Sequence, residues 1–330
     1  NISTDSLNGK YHVINILSTK EKDVEKVEDC LQAQHCFSFD VKSMNSAIAN
    51  HLSDDFNYIG FACGFIVFFF LWLSMGSIEL AVLSFIPMAI SWLWILGLMA
   101  IFHMQFNIVN IILATFIFGQ GDDYTIFMTE GAMYEYAYRR KMLASYKHSI
   151  IISALIMFIG IGTLIVARHP ALRSLAEVTI AGMFSVVLMA YIFPPLIFNW
   201  LVKHKGEYRV RPLSLQMLFR RRKEGVAYYH DLVLDRYRYK GVEVFSTVKR
   251  NLRRNRDYQA WMEQQDTSLP VIIPSAGYGE KVLLFALLHP ETKVIAVEAD
   301  PDKCRLMKFS MEGIVENVEI INQAEISRQM

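Results

Sequence analysis

One stretch narrows the possible folds of this chain more than any other. It runs from Phe106 to Met128, FNIVNIILATFIFGQGDDYTIFM, and is apolar apart from two adjacent carboxylates near its end. About 20 apolar residues let a helix cross the hydrocarbon core of a bilayer, so a membrane span is predicted with Asp122 and Asp123 inside it. Ile126, Phe127 and Met128 carry the apolar pattern past the acids; a span ending at Gly119 would instead leave them in the interface. A charge held at that depth costs at least ~2.5 kcal/mol on insertion scales. Such a residue usually faces other protein and transfers or coordinates something. On a helix Asp123 shares its face with Gly119, Gln120, Phe127 and Glu130, while Tyr124 points about 100° away. Gly119 and Gly121 would let a neighbouring helix approach Asp123 closely and enclose it. A carboxyl taken out of water keeps its proton more readily, which suits it to work on a transmembrane proton gradient.

The segment Gly119-Gln120-Gly121-Asp122-Asp123-Tyr124 resembles the G-x-G-x-D-Y signature of the resistance-nodulation-division (RND) superfamily in its MMPL lipid-exporter branch. The resemblance implies that Asp123 and Tyr124 form a proton-relay pair, with Asp122 at the variable position beside them. It implies a proton-driven exporter of a lipid or other hydrophobic molecule that needs no cofactor besides the gradient. Relatives use two Asp-Tyr pairs, one in each six-helix repeat. The chain is therefore expected to act with a second transporter half or as a homo-oligomer, and it reads as a piece of something longer.

The rest of the chain fits a mainly α membrane protein. The hydrophobic share is 53% and the mean hydropathy is +0.26, above the soluble norm. Five apolar runs, roughly 57–75, 78–102, 106–128, 149–167 and 177–202, are each expected to span. Together they make a five-helix domain over residues 57–202, like the last five helices of twelve in an RND transporter. The first two are close enough around Gly76 for a helical hairpin, and Pro194 and Pro195 suggest a kink in the fifth. Ser153, Gly160 and Thr163 lie near one face of the fourth, where they could admit the Asp123 helix and lend it a hydroxyl. His103, at an outer helix end, reads as interfacial. Arg139, Arg140, Lys141 and Lys147 follow the third run, and Lys203, Lys205, Arg209 and Arg211 follow the fifth. These eight outvote Arg168 and Arg173 and place both segments in the cytoplasm. With an odd number of spans, residues 1–56, with a strand over 11–17 and a helix over 22–34, are then expected outside, and the resemblance implies that they are the end of a periplasmic domain in a bacterial inner-membrane protein. The four cysteines fit no metal spacing; Cys30 and Cys36 are expected to be ordinary buried thiols, with a disulfide between them as the alternative if that segment is periplasmic.

Residues 203–265 read as a basic cytosolic linker, with sixteen Lys or Arg against seven Asp or Glu. Arg220-Arg221-Arg222-Lys223 and Arg253-Arg254 stand out. Directly inside a membrane helix such a segment is expected on anionic headgroups, at ~1 kcal/mol per basic residue near the surface. No nucleic-acid module surrounds it, so nucleic acid is not an expected partner. His230 and Asp235 make an H-x4-D spacing, a pair too common by chance to carry an argument.

Residues 266–330 change character again. Val271-Ile272-Ile273 predicts a buried strand, Ser275-Ala276-Gly277-Tyr278-Gly279-Glu280 a Gly-rich turn into a helix, and Val294–Val297 a second strand ending in Glu298. Strand, Gly-rich turn, helix, strand, acid is the order of a partial α/β Rossmann-like nucleoside-binding fold. The stretch resembles the first half of a class I S-adenosylmethionine-dependent methyltransferase. That resemblance implies a cofactor loop at Ser275, Gly277 and Gly279 and a ribose-binding acid at Glu298. Ser275 stands where a first glycine is expected, Ile273 where an acid often sits and Gln323 where an Asp often meets adenine. The copy is expected to be incomplete. The order of parts resembles MMPL exporters fused to an acyltransferase and a methyltransferase, although residues 203–265 are too few for an acyltransferase domain. Two other functions fit the same residues: a membrane-anchored methyltransferase, and a sterol-sensing-like lipid-binding domain without transport.

Overall fold

A computed structural model describes residues 3–7, 10–14, 17–20, 23–33, 58, 61–102, 108–219, 224–253 and 256–323; the side chains of 1–16, 25, 32, 108–118, 120, 170, 171, 218, 256 and 257 lie outside that description. The expectations for His103, Cys36, Arg220–Lys223 and Arg254 therefore fall outside the described residues. The chain divides into two units, 1–59 and 60–330.

In the first unit, β1 (Ser3–Leu7) and β2 (Lys10–Ile14) pair antiparallel, with Leu7 opposite Lys10. The predicted strand over 11–17 corresponds to β2. Helix α1 (Val24–Ala33) lies inside the predicted 22–34 helix, and its Cys30 is exposed, which corrects the expectation of a buried thiol there.

In the second unit, α2 (Phe61–Met75) turns into α3 (Ile78–Ile101) at Gly76, whose φ of 64° suits a residue without Cβ. Ser77 caps α3 by accepting the Leu80 N–H at 3.3 Å. Then follow α4 (Ile108–Tyr138), α5 (Leu143–Gly162), a 3-10 turn (Thr163–Val166) and α6 (Pro170–Val202). The chain stays helical through Pro194 and Pro195 in α6. Among the described residues three helical stretches are long and apolar enough to cross a membrane: Ile78–Ile101, Leu143–Val166 and Leu172–Val202. Helix α2 is shorter, at Phe61–Met75. The packing is that of a lipid-facing bundle, with large apolar side chains turned outward. Ile152, Leu155, Ile156 and Ile159 of α5 and Phe65, Phe70 and Leu73 of α2 are all exposed. An apolar belt of that extent is costly in water and neutral in hydrocarbon. This is a membrane protein.

Helix α4 packs against α3, α5 and α6. Its 31 residues measure about 46 Å at ~1.5 Å per residue, half as long again as a ~30 Å hydrocarbon core. The surplus is at its C-terminal end, where Ala137 and Tyr138 join the core of the C-terminal fold.

That fold begins with a small hairpin, β3 (Lys203–His204) and β4 (Glu207–Tyr208), and continues through α7 (Leu215–Phe219), α8 (Val226–Tyr237), α9 (Val242–Arg253) and α10 (Arg256–Glu263). Strand β5 (Val271–Pro274), α11 (Glu280–Leu288), β6 (Val294–Glu298), α12 (Pro301–Met311) and β7 (Val318–Asn322) complete it. The three strands are parallel in the order β5-β6-β7, with Val271 opposite Val294 and Val294 opposite Val318.

Residues 203–265 are not an extended linker. Val233, Tyr237, Val248, Leu252 and Met262 share one core with α11, β5 and β6. Three of the cations assigned to a headgroup surface, Arg236, Arg238 and Lys240, are buried to 5, 5 and 3% exposure and are not available to lipid. The basic composition concealed an interior polar layer.

Candidate functional site

The helical period of α4 decides which motif residue faces what. Gly121, Asp122, Thr125, Met128 and Thr129 turn inward, and Gly119, Asp123, Phe127 and Glu130 turn outward. Gly121 sets this rotation: a Cβ there would meet Val186 of α6 at 3.2 Å, so α6 closes on α4 at the glycine. A Cβ at Gly119 would meet nothing within 4 Å. The expectation that Asp123 is the enclosed acid is corrected by this geometry. Asp123 is exposed on the bundle surface, whereas Asp122, the variable motif position, is 8% exposed. Of the face predicted to carry Asp123, Gly119, Phe127 and Glu130 share an open stripe with it among the described residues, and the Gln120 side chain lies outside the description.

Asp122 Oδ1 is buried and meets no hydrogen-bond donor among the described residues. A carboxyl oxygen without a donor is costly unless it carries a proton or meets another group. Below it runs a line of buried hydroxyls. Thr125 Oγ1 donates to the Asp122 carbonyl at 3.0 Å, Thr129 Oγ1 to the Thr125 carbonyl at 2.8 Å, and Thr129 Oγ1 lies 3.1 Å from Ser84 Oγ of α3. The sequence reading missed these three hydroxyls. Their signal was present as two threonines four apart on the face of Asp122.

Tyr124 is buried, and its hydroxyl lies 3.2 Å from Ser153 Oγ of α5. The fourth hydrophobic run does lend a hydroxyl to the motif helix, to Tyr124. Gly160 admits no neighbour among the described residues, since a Cβ there would meet none of them within 4 Å. Thr163 Oγ1 bonds its own helix at the Gly160 carbonyl, 2.7 Å away.

A second constellation lies at the C-terminal ends of β5 and β6. Ser275, Gly277 and Gly279 have φ of 53, 61 and 84°, so the turn is built from left-handed residues, one of which is not glycine. The two glycines serve different ends. A Cβ on Gly279 would collide with Met307 of α12, so this position lets α12 close on the turn. Among the described residues a Cβ on Gly277 would meet nothing within 4 Å, so the backbone there borders space that none of them fills. Glu298 joins the turn to β6: its Oε2 accepts the Gly277 N–H at 2.7 Å, and its Oε1 accepts the N–H groups of Ala299 and Asp300 at 3.0 and 3.2 Å. Tyr237 holds the turn from below, donating to the Tyr278 carbonyl at 2.7 Å. Burial, and then the Glu280 charge, push that phenol far above its ordinary range, so it stays a neutral donor.

Between the two constellations lies a layer of paired and capped cations. Arg236 donates to the carbonyls of Ser310, Phe309 and Glu312 at 2.8, 3.1 and 2.8 Å, which closes the C-terminal end of α12. Lys240 donates to Ser310 Oγ at 2.6 Å. Burial, reinforced by Arg236 and Arg139, pushes its ammonium well below the usual lysine range. The Arg139 guanidinium stacks over Tyr208, 3.2 Å from the ring centre, and Arg140 pairs with Asp302 at 2.8 Å. Asp235 and Arg238 pair at 3.5 Å, which gives Asp235 a structural role apart from the H-x4-D spacing.

No curated protein and no solved structure matches the chain. A family model described as the MMPL family matches residues 41–226, a stretch that contains the acid-bearing α4 and all three membrane-length helices. That match covers more than half of the 330 residues, and the chain belongs to the MMPL family.

Proposed function

We propose that the chain is the C-terminal half of a proton-driven exporter that moves a lipid or other hydrophobic molecule out across a bacterial inner membrane. All five helices α2 to α6 would span, with the N-terminal unit periplasmic and the C-terminal fold cytoplasmic. The observation that carries this reading is the paired acid on α4: Asp122 enclosed with an oxygen lacking a donor, and Asp123 beside it on an open stripe. In a bilayer that stripe cannot face hydrocarbon without cost. It is the surface on which a second transporter half, or a second copy, would pack, with Gly119 allowing close approach. Asp123 then receives the proton at the joint between halves, and Asp122 tunes it from inside. Tyr124, oriented by Ser153, gives the relay a hydroxyl. Lipids surround the bundle and supply the cargo.

The test is a pH-gradient-driven export assay in membrane vesicles containing the full protein. Asp123→Asn is expected to abolish gradient-dependent export while the protein still inserts. Full export by that variant overturns the reading.

The turn at Gly277 supports an additional ligand role for the C-terminal fold, the one a methyltransferase-like cofactor loop would have. A carboxylate has about four lone-pair sites. Glu298 uses one on Oε2 and two on Oε1, which leaves Oε2 able to accept one ribose hydroxyl. With open space over Gly277, the residues present fit a nucleoside ligand such as S-adenosylmethionine. When bound, that group supplies an activated methyl. The chain's own contribution is to hold the ribose and keep the turn in its left-handed form. Binding of S-adenosylhomocysteine to the full protein, lost in Glu298→Ala, tests this role separately from transport. No binding by the unaltered protein removes it.

A further inference from the structure

The end of α4 reaches the rim of the Gly277 turn. Tyr138, the last residue of the helix, packs against the same core as Tyr278. Arg140, two residues on, pairs with Asp302 at 2.8 Å. Tyr278 lies between the two turn glycines, and Asp302 stands in the first turn of α12, just after Glu298. The end of α4 is thus paired to the first turn of α12, the helix that packs on the turn expected to hold a ligand with Glu298.

Helix α12 is held at both ends. Arg236 with Lys240 takes its last turn through buried bonds to Ser310, Phe309 and Glu312, and Arg140 takes its first more lightly through a half-exposed ion pair. In the middle, Met307 rests on Gly279, where no side chain stands between helix and turn. A packed contact of this kind has little slack, and displacing one partner displaces the other. A shift of α4 is thus passed through α12 to the backbone that would hold the ligand, and the reverse holds by linkage.

We propose that nucleoside binding at the Gly277–Glu298 edge and the position of the last turn of α4 are coupled through α12. The C-terminal fold then acts as a ligand sensor on the helix that carries Asp122 and Asp123. This rests on the nucleoside role given above. It does not rest on proton transport.

The experiment is hydrogen–deuterium exchange on the full protein in lipid nanodiscs, with and without saturating S-adenosylhomocysteine, alongside a direct measurement of its Kd. The expected result is slowed exchange in two places, residues 275–280 and residues 134–142, with the second at least about fivefold, the lower end of common coupling strengths. Arg140→Ala is expected to bind ligand and protect 275–280, yet to lose the protection at 134–142. Asp302→Asn, which removes the same ion pair from the other side, should do likewise, and Arg140→Lys should restore part of it. Protection confined to 275–300 in the unaltered protein overturns the coupling while leaving the nucleoside role in place. Equal protection at 134–142 in Arg140→Ala and Asp302→Asn overturns the route through α12. Absence of measurable binding overturns both the coupling and the nucleoside role, and leaves the transport reading standing.

Discussion

The hydroxyl of Tyr124 lies 3.2 Å from that of Ser153, tying the acid-bearing helix to its neighbour at mid-height. Either oxygen can donate to the other, so the pair can reverse its direction without moving heavy atoms. Tyr124→Phe and Ser153→Ala should each slow gradient-driven export by roughly tenfold, about 1.4 kcal/mol. The double variant should be no slower than the worse single one, because both remove the same bond. Rates that multiply in the double variant would separate the two residues.

The glycines of the C-terminal turn should respond differently to the same methyl group. At Gly279 the added carbon runs into Met307, and the φ of 84° adds strain. Gly279→Ala should therefore lower stability by about 2–4 kcal/mol, combining overpacking with backbone strain. Gly277→Ala meets open space and carries only the strain of a φ of 61°, about 1 kcal/mol. Melting temperatures in detergent, followed by intrinsic fluorescence of the Trp261 region, would rank them. A larger loss at Gly277 would contradict the contact with α12.

Arg236 reaches three carbonyls at the end of α12 through a planar fork. Arg236→Met leaves those acceptors buried and unpaired, and should cost at least about 3 kcal/mol. Arg236→Lys should rescue little, since an ammonium cannot match the fork. Proteolysis of the C-terminal fold gives the readout. A stable Lys variant would show that charge rather than geometry holds the helix end.

Lys240 predicts a pH dependence with a definite sign. Its ammonium titrates well below the ordinary lysine value because it is buried beside Arg236 and Arg139. Between its folded value and the unfolded value of about 10.5, the unfolded chain binds the extra proton, so stability rises as pH climbs through that window. One group contributes a slope of at most about 1.4 kcal/mol per pH unit. Lys240→Met should flatten the rise seen from pH 7 to higher values, and its advantage over the unaltered protein should shrink as the solution becomes alkaline. Parallel stability profiles for the two proteins would contradict the burial of the amine.

The membrane class was legible from composition, since long apolar helices have nowhere else to go, although three of the five expected runs are long and apolar enough to span among the described residues. The order of β5, α11, β6 and the acid was legible for a similar reason, since Val271–Ile273 and Val294–Val297 bracket a Gly-rich turn at a fixed distance. Rotation was not. Which of two adjacent acids turns inward depends on where α6 makes its closest approach, and that is set by Val186 against Gly121, a pairing some 65 residues apart in the sequence. The basic segment misled for a related reason. Arg236, Arg238 and Lys240 look like a surface patch until the carbonyls of α12 and the carboxylate of Asp235 are brought to them by the fold.

Proton traffic at the α4 acids is what the proposed export requires above all else. Proteoliposomes holding the full protein, loaded with a pH-sensitive dye and given an outward pH gradient, report proton movement as cargo is supplied. The prediction is a cargo-dependent proton flux that Asp123→Asn abolishes and Asp122→Asn shifts along the pH axis. A flux unchanged in the variant lacking both carboxylates would contradict it.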